Sequence, residues 1–292
     1  MIGQENDRTL AAKRGKIHSL LPLARARIAA VEGWGKLVKQ VKEAKDGGGS
    51  LLPAEPCEPV PGHGEGRHFT RNLFNETAPV YDRVNQLFSL GSGAWYRRRC
   101  LRRAGLRPGM RVLDVAVGTG LLAREAVALT RSRTDVIGID VSEAMLAEAR
   151  RKLAVPLIQG MAEALPVADA SIDFLTLGYA LRHIPDLDLA LREFHRVLRP
   201  GGVLLILELR RPRYAVMRSI VAQHFSQIVP LLYRWTTGAS QTRQLMEYHW
   251  ETVERSLSPT AVTDHLERGG FEAIRRETYF DLFCSYSARN RE

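Results

Sequence analysis

Val112-Leu-Asp114-Val-Ala-Val-Gly118-Thr-Gly120-Leu-Leu-Ala123 decides how this chain folds. A short apolar run, Arg111–Val115, reaches two glycines and then a segment of helical character, Leu121–Leu129. Strand, glycine turn and helix in that order aim free backbone N–H groups and the positive end of a helix dipole at one spot. Glycine permits the tight turn and lets a ligand come close to the backbone. The run also fits Gly-x-Gly-x-x-Gly/Ala, a pattern common to nucleotide sites of more than one kind. Asp140 stands at the tip of the next apolar run, 20 residues after Gly120. A carboxylate there suits the hydroxyls of a ribose. Together these features point to a nucleoside-bearing ligand and leave its class open.

Working outward, strand and helix patterns alternate. Strands are expected at Asp135–Ile139, Val155–Gln159, Ile172–Leu177 and Val203–Leu207, and helices at Glu143–Leu153 and Leu187–Leu198. The central strands are apolar on both faces, as burial between two helical layers requires. The expectation is an α/β, doubly wound, mostly parallel sheet. Residues 214–257 read as mostly helical, Thr260–Arg268 as a helix stopped by Gly269-Gly270, and Glu272–Glu277 with Leu282–Ala288 as a terminal antiparallel hairpin. The sheet then has seven strands.

The chain has 292 residues and a formal charge of +10. Ten Lys/Arg stand against five Asp/Glu in residues 1–50, so half of the excess charge lies in that region. Residues 1–46 read as a basic helical extension. Residues 47–68, dense in Gly and Pro, read as a linker. The catalytic domain is expected over 69–292, with 214–257 as a helical lid. Beyond the extension, Arg and Asp/Glu alternate, which weakens a nucleic-acid reading. Cys57, Cys100 and Cys284 are scattered, so neither a zinc site nor a disulfide framework is indicated. Met1 is followed by neither a basic nor an apolar leader segment, and no apolar run approaches the ~20 residues of a membrane span. A cytoplasmic chain is expected, with peripheral membrane contact through the basic extension and a homodimer both left open.

Further motifs settle the ligand class. Gly138-Ile-Asp140-Val-Ser142 ends the second strand, Gly160-Met-Ala-Glu-Ala-Leu-Pro166 follows the third, and Arg196-Val-Leu-Arg-Pro200-Gly-Gly202 leads into the fifth. Taken in order with the glycine turn, this set resembles the class I S-adenosylmethionine-dependent methyltransferases. A closer resemblance is to the ubiquinone/menaquinone biosynthesis C-methyltransferase family. It is carried by Leu73-Phe-Asn-Glu-Thr-Ala-Pro-Val-Tyr81-Asp82-Arg-Val-Asn85, by Leu181-Arg182-His183-Ile-Pro-Asp186 and by Leu207-Glu208-Leu-Arg-Arg-Pro212. The chain departs from that family at Met161, Gly178 and His183.

The resemblance implies a Rossmann-like fold and S-adenosyl-L-methionine as cofactor, with no metal. It implies that Asp114, Gly118, Thr119, Gly120, Asp140, Val141, Met161, Ala162 and Gly178 bind the cofactor. Tyr81 would close over the methyl-donor end. The acceptor it implies is a small apolar aromatic molecule, most simply a quinol- or phenol-type ring methylated on carbon. Methylation of O, N or C of another small molecule is the alternative, and a nucleic-acid substrate a third reading. Arg182, Tyr81 and His183 are the catalytic candidates, with His249 a further possible base. Arg182 is offered as the cation that stabilises a phenolate. Phe225, Tyr233, Trp235, Tyr248 and Trp250 are either acceptor-pocket walls or plain core.

Overall fold

A computed structural model describes residues 64–89, 91–223 and 240–291. The basic extension, most of the Gly/Pro-rich stretch, and Phe225, Tyr233 and Trp235 lie outside the described residues. The described chain opens with helix α1, Gly64–Phe88, which begins inside the stretch expected to be linker.

Seven strands form one sheet among the described residues: β1 (Val112–Val115), β2 (Val136–Asp140), β3 (Leu157–Gln159), β4 (Ile172–Gly178), β5 (Leu198–Leu209), β6 (Phe271–Tyr279) and β7 (Phe283–Asn290). Their order is β3-β2-β1-β4-β5-β7-β6. The first five are parallel, and β7 runs antiparallel to β5 on one side and β6 on the other. Every residue of β1 and β2 is buried, as the continuous apolar runs require. The strand order reverses between β1 and β4. In such sheets a crevice opens at this point, outside the carboxyl ends of the strands.

Side chains alternate across the sheet. Leu113, Ile137, Leu175 and Ile206 face one layer, where they meet α5 (Leu187–Val197) and α8 (Pro259–Arg268) through Phe194, Val197, Val262 and Leu266. Val112, Val136, Phe174 and Leu205 face the other. There they meet α2 (Gly93–Arg103), α3 (Leu121–Thr130) and α4 (Glu143–Lys152) through Leu101, Leu122, Ala126 and Leu146. Helix starts are fixed by side-chain caps: Ser142 accepts from Met145 N at 3.1 Å, Asp186 from Leu189 N at 2.8 Å, and Ser258 from Ala261 N at 3.1 Å.

One boundary differs from the sequence reading. Helix α5 passes directly into β5 at Leu198, five residues before the expected strand start at Val203. Leu198 pairs with Ile172, and the ladder resumes at Val203 opposite Phe174, so Arg199-Pro-Gly-Gly202 bulges out of the β4–β5 ladder. Gly201 holds φ +72° there, which glycine supplies without strain.

A third apolar cluster lies at the end of the sheet, where Leu209 of β5 joins it. Leu73 and Val84 of α1 meet Val221 of α6 (Ala215–Gln223) and Leu245, Met246 and Val253 of α7 (Ser240–Glu254). These helices, α6 and α7, are the described parts of the expected lid. No described helix is long and apolar enough to cross a membrane.

Candidate active site

The glycine turn after β1 and the tip of β2 meet at the carboxyl end of the sheet. Gly118 N donates to Asp140 Oδ2 at 2.7 Å, and Ser142 N donates to Asp140 Oδ1 at 2.9 Å. Burial pushes the Asp140 carboxyl up to about 6, against the pull of these backbone donors. Gly118 has φ +56°, and a methyl group added to it would touch nothing within 4 Å, so the turn borders open space. Gly120, at φ +87°, turns inward instead, and a methyl there would lie 2.2 Å from Leu153 Cδ1. A carboxylate beside an open glycine turn fits a nucleoside of the adenosylmethionine type.

The remaining cofactor candidates divide by position. Val141 follows Asp140 and is exposed. Met161 and Ala162 are half-buried just beyond β3, where Met161 bridges to Ala164. Gly178 ends β4 with Leu122 close behind it, leaving little room for a side chain. Asp114 lies below the turn, buried in the sheet, and accepts from Thr176 Oγ1 at 2.6 Å. Burial pushes its carboxyl up to about 7. The Thr119 hydroxyl donates its proton to Asp82 Oδ1 of α1, which leaves it only acceptor capacity toward a ligand. Lys152 Nζ holds the other Asp82 oxygen at 2.8 Å. Ser142 Oγ donates to Asn75 Oδ1 at 2.6 Å. Asp82 and Asn75 therefore fasten α1 across the crevice, a role the sequence did not reveal.

Beside the crevice lies a cavity of about 460 Å³. Its walls include Tyr81, Tyr96, Arg97, Tyr179, Met246 and Phe283, contributed by α1, α2, the end of β4, the lid helix α7 and the terminal hairpin. One stretch of α1 borders both spaces: Tyr81 lines the cavity, and its neighbour Asp82 accepts from Thr119 of the glycine turn. Burial raises the Tyr81 hydroxyl's pKa above the ordinary tyrosine value.

Arg182 and His249 also line this cavity. Arg182 spends most of its donors within the protein. Nη1 donates to Tyr179 O at 3.0 Å and pairs with Glu208 Oε1, Nε donates to Thr252 Oγ1 at 3.1 Å, and Nη2 meets His249 Nδ1 at 3.0 Å. An arginine only donates, so His249 Nδ1 is the acceptor and carries no proton. Burial, then the Arg182 charge, pulls His249 down to about 3. His183 is stacked on Tyr248 with Nδ1 3.0 Å from its hydroxyl, and it is not part of the cavity wall. Burial holds it well below the ordinary histidine value. Both imidazoles are neutral at physiological pH. Tyr248 and Trp250 pack against the third apolar cluster, as core.

A profile of the ubiE/COQ5 methyltransferase family matches residues 63–285. The chain belongs to the ubiE/COQ5 methyltransferase family. The ubiquinone/menaquinone biosynthesis C-methyltransferase of a Shewanella species (strain W3-18-1) is 32% identical over 209 residues, which are 69% of this chain and 82% of that one. Among solved structures, a methyltransferase of Thermotoga maritima, described as a possible histamine N-methyltransferase, aligns with TM-score 0.52 at 20% identity, over 75% of this chain and 99% of its own. Phosphoethanolamine N-methyltransferase 2 of Haemonchus contortus, solved with S-adenosyl-L-methionine, aligns with TM-score 0.50 at 17% identity, over 68% of this chain and 52% of its own. At such identities these two structures speak for the fold alone. The resemblance to S-adenosylmethionine-dependent methyltransferases drawn from the motifs therefore holds for family and fold, and this ubiE/COQ5 member keeps the glycine turn and the Asp140 carboxylate on which it rested.

Proposed function

We propose that this chain transfers the methyl group of S-adenosyl-L-methionine to a ring carbon of an apolar quinol- or phenol-type acceptor. The observation that carries the reading is the junction at Tyr81. There one stretch of α1 borders both spaces: Asp82 accepts from Thr119 of the polar glycine turn suited to a nucleoside, and Tyr81 lines an aromatic cavity suited to a flat apolar ring.

When bound, S-adenosylmethionine supplies a methyl group on a cationic sulfur. Asp140 accepts from the ribose hydroxyls, and the open face of Gly118 lets the backbone approach. Thr119 and Gly120 shape the turn, and Asp114 supports it from below. Val141, Met161 and Ala162 would lie along the base. Gly178, which Leu122 backs, would lie at the reacting end, and Tyr81 would close over it. Acceleration then comes mainly from alignment of the two reactants and from the exclusion of water by α1 and α7.

A phenol ring gains a nucleophilic carbon once its hydroxyl proton is gone. Neither histidine suits the task of removing it, because burial makes both poor proton acceptors. Arg182 has its charge matched by Glu208, and we assign it to positioning: through His249 and Thr252 it fixes α7 against the end of β4. The acceptor on this reading enters as its anion.

The test is incubation of the full chain with methyl-labelled S-adenosylmethionine and a panel of reduced demethylated quinols, catechols and aryl amines, with the product position read by NMR. Label on a ring carbon of a quinol is expected. Label solely on oxygen or nitrogen would replace the quinol reading with that of another small-molecule methyltransferase.

A further inference from the structure

Helix α2 carries three arginines in succession, and they meet different fates. Arg98 pairs with Glu125 at 2.8 Å. The Arg99 guanidinium lies over the rings of Trp95 and Tyr279, 5.5 and 5.8 Å from their centroids. Farther along, Arg103 pairs with Glu277. Arg97 points inward. It is only 6% exposed, it lines the 460 Å³ cavity, and its buried Nε has no hydrogen-bond partner. No ion pair or side-chain hydrogen bond among the described residues involves it. Its environment is aromatic: the charge of Arg97 reaches the hydroxyls of Tyr81 and Tyr179 on the same wall. Gly93, one turn earlier, leaves room for it, since a methyl group there would approach Arg97 Nη1 to 3.1 Å.

A buried cation without a counter-charge is unfavourable and persists where something compensates it. Arg182, on the same wall, is already neutralised by Glu208, so among the described residues of the wall the uncompensated positive charge belongs to Arg97. A guanidinium offers a planar fork of donors that matches two oxygens, or one oxygen with two lone pairs.

We propose that Arg97 is the anion-recognition residue of the cavity, and that the molecule bound there is an aromatic ring bearing an oxyanion, a phenolate or a carboxylate. The proposal rests on the reading of this cavity as the acceptor site. It moves the charge that stabilises the acceptor from Arg182 to Arg97 and gives the reactive ring a fixed orientation.

The experiment is calorimetry on the full chain, free and with S-adenosylhomocysteine. The probes are 2-naphthoate against neutral 2-naphthamide, and 4-nitrophenolate against neutral 4-nitroanisole. The wild type should bind at least one anion about tenfold or more tighter than its neutral partner, the size of a charge-assisted hydrogen bond. Preference within the first pair alone identifies a carboxylate, within the second alone a phenolate, and within both an oxyanion of either kind. Arg97→Met should abolish the preference, Arg97→Lys should keep part of it, and S-adenosylhomocysteine affinity should stay unchanged in both. Equal binding of anion and neutral partner by the wild type, absence of binding by every probe, or a preference that survives in Arg97→Met overturns the proposal. Failure of S-adenosylhomocysteine to bind the wild type instead removes the methyltransferase reading, while the anion preference is still read on the free chain.

Discussion

At the scale of single residues, Asp140 sets how donor binding responds to pH. Its carboxyl sits at about 6, raised by burial. Hydroxyl donors from a ribose favour the ionised form. Below pH 6 the carboxyl is protonated and must lose its proton for the donor to bind, so affinity should fall as pH drops through that value. Calorimetry in two buffers of different ionisation heat should show proton release on binding near pH 6. Asp140→Asn should flatten this dependence and weaken binding by about 1.5–3 kcal/mol, the worth of hydrogen bonds to a charged group. A slope centred nearer 7 that remains in the variant would belong to Asp114. Glu208 makes a second residue-scale case. Its pair with Arg182 is buried, with side-chain exposures of 7% and 4%. Glu208→Gln strands the guanidinium and should cost about 3–5 kcal/mol, read as a lowered Tm. Replacing both partners by Met should restore most of that loss.

These residues also show what a sequence can disclose. Asp140 and Gly118 are legible because backbone pattern alone fixes them: a glycine turn and the next strand's tip are neighbours in any such sheet. The commitment of Arg182 is not legible. Glu208 lies 26 residues away on the adjacent strand, and only register brings it close. Arg97 is hidden for another reason. Helical spacing puts it on the buried stripe of Tyr96, Cys100 and Leu101, but that its guanidinium lacks a partner depends on the packing of other elements around it.

At the scale of elements, the two glycines of the turn do different work. Gly120 begins α3 at φ +87° with Leu153 against it. Gly120→Ala should therefore destabilise the fold by about 1–3 kcal/mol, through backbone strain and displacement of Leu153. Gly118 borders open space, so a methyl group there displaces nothing of the protein. Gly118→Ala should melt within about 1–2 kcal/mol of the wild type, the cost of a left-handed alanine, yet lose donor affinity because its methyl enters the ligand's space. Thermal melts beside donor titrations separate the two. Element order and type were legible because buried parallel strands read as apolar runs and capped helices announce their starts. The join of α5 to β5 was not, because Pro200-Gly-Gly202 carries every local mark of a loop and the pairing of Leu198 with Ile172 is a long-range contact.

At the scale of the molecule, stability is divided between a sheet with two deep apolar layers and a smaller cluster under α1, α6 and α7. Elements with shallow burial open first, and ligand sites draw on them. Helix α1 touches the crevice through Asp82 on Thr119 and Asn75 on Ser142, and the cavity through Tyr81 and Val84. A ligand in the crevice should therefore tighten α1 more than it tightens the sheet. Hydrogen exchange with and without S-adenosylhomocysteine should show slowed amides along Leu73–Asn85 and Gly118–Leu122, with β4 and β5 unchanged. Asp82→Ala, which frees Thr119 and Lys152 from α1, should remove the protection of the helix and leave that of the turn. Equal protection of both in the variant would mean that α1 closes by apolar contact alone, and that the Asp82 clamp adds nothing to the grip on the donor.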